Sequence, residues 1–204
     1  MTSGLHFSEH LPNYLSHYFE AAIGPFVNLS DLPLIEAETQ LTQIRELGET
    51  FASQRSADYL TIRRDLENRV RQIFIQKGGL PTRERPHYMI LGACPWLLGW
   101  YRHGRELRLP LEKFPSAVVS FTYGDTFPAL RYQDGKPYRG QVYRLEELPD
   151  LVLQFDLPQN WNPYGEHGPD RYIEAQIWDD APLRAYLNNR SRTNTEFPAT
   201  KNSQ

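Results

Sequence analysis

The sequence predicts an α+β fold: a helical N-terminal region over residues 1–80, then a small mixed α/β unit with short strands over residues 81–187. Three observations lead there. Residues 1–80 hold three of the 16 Pro, three of the 12 Tyr and no Trp, whereas the rest of the chain holds 13, nine and all four. Apolar residues recur at helical spacing before residue 80 and in short β-branched or aromatic runs after it. Gly78-Gly79 separates the two regimes.

In the first region a short helix is expected around Leu11–Ile23, stopped by Gly24-Pro25. Asp31 then offers an N-cap before Pro33, and Leu34, Ala37, Leu41, Ile44, Leu47 and Phe51 mark a second helix. A third begins after Ser56, with Tyr59, Ile62, Leu66, Val70 and Ile73 on one stripe. These last two are expected to pair as an antiparallel hairpin that docks a protein partner or braces the second unit. The charges of Arg63, Arg64, Asp65, Glu67, Arg69 and Arg71 fall mostly off the stripe and read as a solvated face. The first 80 residues carry 7 basic and 10 acidic side chains.

After Leu80–Arg85, strands are expected at Tyr88–Leu91, Ala117–Thr122, Gln141–Leu145 and Tyr172–Trp178. A short helix is expected at Pro95–His103, and another from Glu146 or Glu147 to Phe155. Residues 156–171 read as a long polar loop, and the chain from residue 188 to 204 as a disordered polar tail.

Net charge is −3 over 204 residues, with 40% hydrophobic and 23% charged. Disorder, collagen-like sequence and a strongly basic nucleic-acid coat are disfavoured. The lone Cys94 cannot form an intramolecular disulfide, so a cytoplasmic location is expected. No window approaches the ~18 apolar residues of a membrane span.

The sequence has no P-loop, GxGxxG, HExxH, GxSxG or CxxC pattern. Asp170, Glu174 and Asp179 or Asp180 faintly suggest a metal-dependent nuclease, with Gln176 where a lysine is wanted. Cys94 sits in an apolar stretch, which suits a structural thiol better than a nucleophile. The remaining candidates are polar residues on strands. His87 opens the first strand, Ser120 and Thr122 lie on the second, and Glu174 alternates with Tyr172 and Gln176 on the last. That alternation gives a polar stripe opposite Ile173, Ala175 and Ile177, facing either solvent or a cleft.

The order of elements resembles the ADP-ribosyltransferase scaffold, and most of all its DNA-modifying toxin branch. The resemblance spans residues 86–187: a strand opened by His87, a turn and helix with a basic end (PWLLGWYRHGREL), a strand running into FTYGDTFPAL, the segment QVYRLEELPDLVLQF, and the strand YIEAQIW with DDAPL. The family's arginine before its Pro-Met-Leu-like segment is replaced by Asp125 or Thr126, and Arg131 follows the segment instead. The resemblance implies an ADP-ribosyltransferase-like fold, NAD as substrate, and transfer of ADP-ribose to a nucleic acid or protein acceptor. Glu174 would stabilise the oxocarbenium-like state. His87, Ser120 and Thr122 would hydrogen-bond NAD, Tyr88 or Tyr123 would stack on nicotinamide, Arg105 would join the pyrophosphate contacts, and Arg131 would be a further NAD-binding residue. Beside Arg105, the cations Arg102, His103 and Arg108 serve that contact or simply end a helix. Arg139, beside Gly140, is either a further ligand contact or part of a turn. The aromatic loop Pro158–Asp170 would read the target. From the residues alone, a non-catalytic adaptor with an aromatic binding surface also fits.

Overall fold

The computed structural model describes residues 11–190. Its strands are β1 (Tyr14–Glu20), β2 (His87–Leu91), β3 (Gly104–Pro110), β4 (Val119–Tyr123), β5 (Tyr143–Arg144) and β6 (Ile173–Ile177). Its helices are α1 (Leu34–Leu47), α2 (Tyr59–Gln76), α3 (Thr126–Arg131), α4 (Leu148–Phe155), α5 (Pro158–Trp161) and α6 (Arg184–Arg190). The strands form one mixed-order sheet, β3-β1-β2-β6-β4-β5, with every neighbouring pair antiparallel. A mixed α/β architecture is thus present.

Several elements differ from the sequence expectation. Leu11–Ile23 is not helical: its core is β1, which lies between β2 and β3. Aromatic residues Tyr14, Tyr18 and Phe19 fit a pleated surface at least as well as a helix. The first 80 residues therefore add a strand to the sheet that the second composition regime builds. The basic segment after the Pro95–Trp100 3₁₀ turn is β3 rather than a helix end. FTYGDTFPAL does not stay extended, because Asp125 caps α3 by accepting from the Phe127 N–H at 2.8 Å. α1 ends at Leu47, where Gly48 takes a left-handed φ of 65°. The backbone of α6 continues through Arg190, so residues 188–190 are helical rather than part of the expected disordered tail. Residues 191–204 of that tail lie outside the described residues.

The two faces of the sheet are unlike. One carries Leu15, Met89, Leu91, Val119, Phe121, Tyr123, Ile173, Ala175 and Ile177, and packs with Leu148, Leu151 and Val152 of α4 in the largest apolar cluster. The other face has an apolar cluster at each side. Leu66, Val70 and Phe74 of α2 meet Leu130, Val142 and Trp178 at one side, and Tyr18, Ile90, Cys94 and Tyr172 gather at the other. Between them the sheet face is polar.

Candidate functional site

That polar gap is built by register. On β6, Glu174 pairs with Ile90 of β2 and Thr122 of β4, and Gln176 pairs with Tyr88 and Ser120. Cross-strand partners share a face, so Tyr88, Ser120, Thr122, Glu174 and Gln176 point to one side. Gly124 ends β4 with φ of 89°, a conformation that favours glycine, and turns the chain so that Thr126 lies over Glu174.

Glu174 is 7% exposed. Its Oε1 accepts from the Thr126 hydroxyl, from the Thr126 N–H at 3.3 Å and from Gln176 Nε2 at 3.2 Å. The amide of Gln176 is fixed from behind, because Trp178 Nε1 donates to Ser120 Oγ and Ser120 Oγ donates to Gln176 Oε1, both at 2.8 Å. Glu174 Oε2 accepts no hydrogen bond among the described residues, and it is not sealed from solvent. Burial raises the carboxyl pKa most, and the nearby charge of Asp125 raises it further. Thr126, Gln176 and Arg63 pull the other way, and the net result is about 8. Asp125 itself accepts from the Tyr172 hydroxyl at 3.1 Å.

α2 contributes the opposite wall. Arg63 donates through Nε to Glu67 at 3.0 Å, through one terminal nitrogen to the Tyr59 hydroxyl at 2.9 Å, and through the other to Asn28 Oδ1 at 2.8 Å. Its guanidinium lies 4.6 Å from the Tyr88 ring centroid. Buried Glu67 also accepts from Ser30 at 2.7 Å and from the Tyr88 hydroxyl at 2.9 Å. Tyr59 stacks on Phe127 of α3, centroids 5.1 Å apart. Arg55 covers both Tyr59, at 4.6 Å, and Trp100, at 5.6 Å. Tyr101 belongs to the same group: burial raises its hydroxyl pKa, Arg55 and Arg63 lower it, and Glu174 is close enough to be felt there. Arg55, Tyr59, Arg63, Tyr88, Trp100, Tyr101, Asp125 and Phe127 all keep partial solvent contact around the deeper Glu174. The arrangement sets a buried carboxyl beneath a partly exposed group of aromatic and cationic side chains.

Of the residues expected from sequence, Tyr88, Ser120, Thr122 and Glu174 come together. Ser120 and Thr122 are fully buried and engaged with Gln176. His87 and Tyr123 do not join them, since odd positions on β2 and β4 face the apolar core. His87 Nε2 bonds Asp180 at 2.9 Å, and burial and then Arg83 lower its pKa. The Tyr123 hydroxyl donates to backbone carbonyls of Phe155 and Asp156. Arg105 is exposed on edge strand β3, and Arg131 is exposed at the end of α3. Arg102 and Arg108 pair with surface glutamates rather than reaching Glu174.

The acidic set of the nuclease alternative is dispersed. Asp170 is held by Arg139 at 2.6 and 2.9 Å, by Lys136 at 3.0 Å and by the Tyr138 hydroxyl at 3.0 Å. Asp180 serves His87 and Arg83, and Asp179 accepts from Thr82. Among the described residues, no three His, Cys, Asp or Glu side chains are placed to share a metal ion. No helix among them is long and apolar enough to cross a membrane.

Arg55 is absent from the sequence reading, Tyr59, Arg63 and Glu67 entered it only as parts of a helix, and Asp125 and Thr126 only as a replacement. A signal existed for three of them: positions 59, 63 and 67 repeat every four residues, which on α2 is one face, whereas Arg55 precedes α2 in extended backbone. The solvated-face reading of Arg63 and Glu67 is corrected by their burial between α2 and β2. Comparison with protein-family models, with curated proteins and with solved structures returned no match.

Proposed function

We propose that the chain is an NAD-dependent ADP-ribosyltransferase-like enzyme, with Glu174 as its working carboxyl and a nucleic acid or a protein as acceptor. The observation that carries this reading is Glu174 Oε2, a carboxyl oxygen without a hydrogen-bond donor among the described residues, close to the aromatic side chains of Tyr88 and Tyr101. The nicotinamide riboside half of NAD is cationic and planar, which suits a carboxyl beside aromatic rings. Its positive charge favours the ionised form of Glu174 on binding.

The glycosidic C–N bond then breaks with its electron pair leaving on nicotinamide. Glu174 stabilises the positive charge that develops on the ribose, and the acceptor's nucleophile bonds to the anomeric carbon as its proton passes to a carboxylate and on to water. Thr126 and Gln176 fix the carboxyl in place. His87 has no part in this scheme, because it sits on the other face of the sheet. The cytoplasmic setting expected from the lone Cys94 belongs to the same reading.

The test is release of nicotinamide from NAD by purified protein, with transfer of label to DNA, RNA or protein. Glu174→Gln is expected to lower the rate by about 10²–10³-fold. No release, with Glu174→Gln indistinguishable from wild type, would sink the proposal. It would favour instead a binding module working through α1, whose Ile35 is 83% exposed beside exposed Leu34 and Leu47.

A further inference from the structure

We infer that β3 is a self-association edge, to which a second copy of this chain adds its own β3 antiparallel, with Leu107 facing Leu107 across a two-fold axis.

β3 and β5 are the two edges of the sheet. β5 is only two residues long, which protects it, whereas β3 runs for seven residues from Gly104 to Pro110. The ladder with β1 decides which backbone groups of β3 are free. The Leu111 N–H donates to the Asn13 carbonyl at 2.8 Å, so that pair is hydrogen-bonded, and the alternation of an antiparallel ladder makes Leu109 and Leu107 the next residues bonded to β1. Tyr14 agrees, because its carbonyl accepts from the Gly92 N–H on the other side, at 3.0 Å. Glu106 and Arg108 therefore turn their N–H and C=O groups away from β1. So does Pro110, whose missing N–H costs no bond to β1. Among the described residues nothing pairs with this outer edge.

Charge selects the partner and its register. When β3 pairs with itself, outward residues of one copy meet outward residues of the other. Glu106 against Glu106, or Arg108 against Arg108, sets like charges directly opposite, which is unfavourable. Glu106 against Arg108 sets opposite charges together on both sides of the axis and leaves Leu107 facing its own copy. Glu106 is held at the edge by Ser16 at 2.8 Å and Tyr18 at 3.1 Å. Arg108 donates to both oxygens of Glu106 at 3.0 Å and lies over the Tyr14 ring, yet its side chain stays 55% exposed. In the pair of copies each carboxylate lies between its own arginine and the facing one. Leu107 is on the opposite face, packed against the main apolar cluster and only partly covered. A facing Leu107 extends that cluster across the axis. β1 and β2 separate β3 from β6, so the contact is remote from Glu174.

The experiment is sedimentation of the full chain over a micromolar concentration range, where wild type is expected to form a reversible dimer. Arg108→Glu and Glu106→Arg each make the facing charges alike and should weaken association at least about 10-fold. An equal mixture of the two variants should restore it, because every facing pair is then opposite in charge. Thermal melting shows that each variant is folded. Leu107→Cys gives a measurement that leaves the Glu106 contacts intact: it should form an intermolecular disulfide under mild oxidation, since a non-hydrogen-bonded pair brings Cα atoms to about 4.5 Å. The chain's own Cys94 is buried, and Arg105→Cys, which does not face itself in this register, should not cross-link. A wild-type chain that stays monomeric throughout, a mixture that associates no better than its components, or cross-linking through Arg105→Cys as readily as through Leu107→Cys would overturn the inference.

Discussion

Glu174 ties local chemistry to stability. Its folded pKa of about 8 lies above the ordinary carboxylate value, so the folded state holds a proton that the unfolded state has released. Its contribution therefore favours folding at low pH and is lost as pH rises through the window from about 4.5 to 8. Wild type should lose melting temperature between pH 5 and pH 8.5 relative to Glu174→Gln, whose amide does not titrate. Parallel melting curves for the two proteins would contradict this. Asp170 is a different case, a buried carboxyl group paired with Arg139 and Lys136. Asp170→Asn leaves Arg139 held by Asp134 alone and removes the charged partner of Lys136, and should cost about 1–3 kcal/mol in urea unfolding. Both residues stood out in the sequence as acids near the last strand. Their roles did not, because what separates them is which cations the loop at residues 132–140 brings near, and that is a property of the folded chain.

Among the elements, those set by local signals were legible. α2 was read from its apolar stripe, and β2, β4 and β6 from their β-branched and aromatic runs. The polar stripe Tyr172, Glu174, Gln176 was also legible, although only the register with Thr122 and Tyr88 shows that it looks inward under α2. β3 was not legible, since Arg105, Glu106, Leu107 and Arg108 favour helix and become a strand through seven pairings with β1. α3 carried a signal that the reading passed over: Asp125 as cap and Pro128 in the first turn. The β4–α3 turn has little tolerance. A methyl group on Gly124 would sit 2.6 Å from Asp170 Oδ1 at a φ that L residues seldom adopt. Gly124→Ala should therefore destabilise by about 2 kcal/mol or more and displace Thr126 from Glu174, lowering activity beyond the loss of folded protein. Chemical denaturation and rates normalised to folded fraction would separate the two effects.

For the molecule as a whole, the composition boundary near residue 80 is not a seam in the sheet. β1 lies between β3 and β2, so a fragment starting at residue 81 would leave two strand edges unpaired in the sheet interior. It would also lose Leu15, which is fully buried in the main core. The fragment is expected to lack cooperative unfolding and amide protection, as circular dichroism and hydrogen exchange would show. A protected, cooperatively melting fragment would mean that β1 is dispensable.

The position of β1 also governs the order of events during synthesis. Of the described strands β1 is made first, yet Ser16 faces Ile90 and Tyr14 faces Pro110. At roughly 5–20 residues per second, its second neighbour arrives on the order of 5–20 s later. Throughout that interval the run Tyr14–Phe19 is an unpaired aromatic strand, the kind of segment that chaperones shield and that self-associates when they do not. Helices α1 and α2 form from nearby contacts in the meantime, so the sheet closes last, around a strand that was made first.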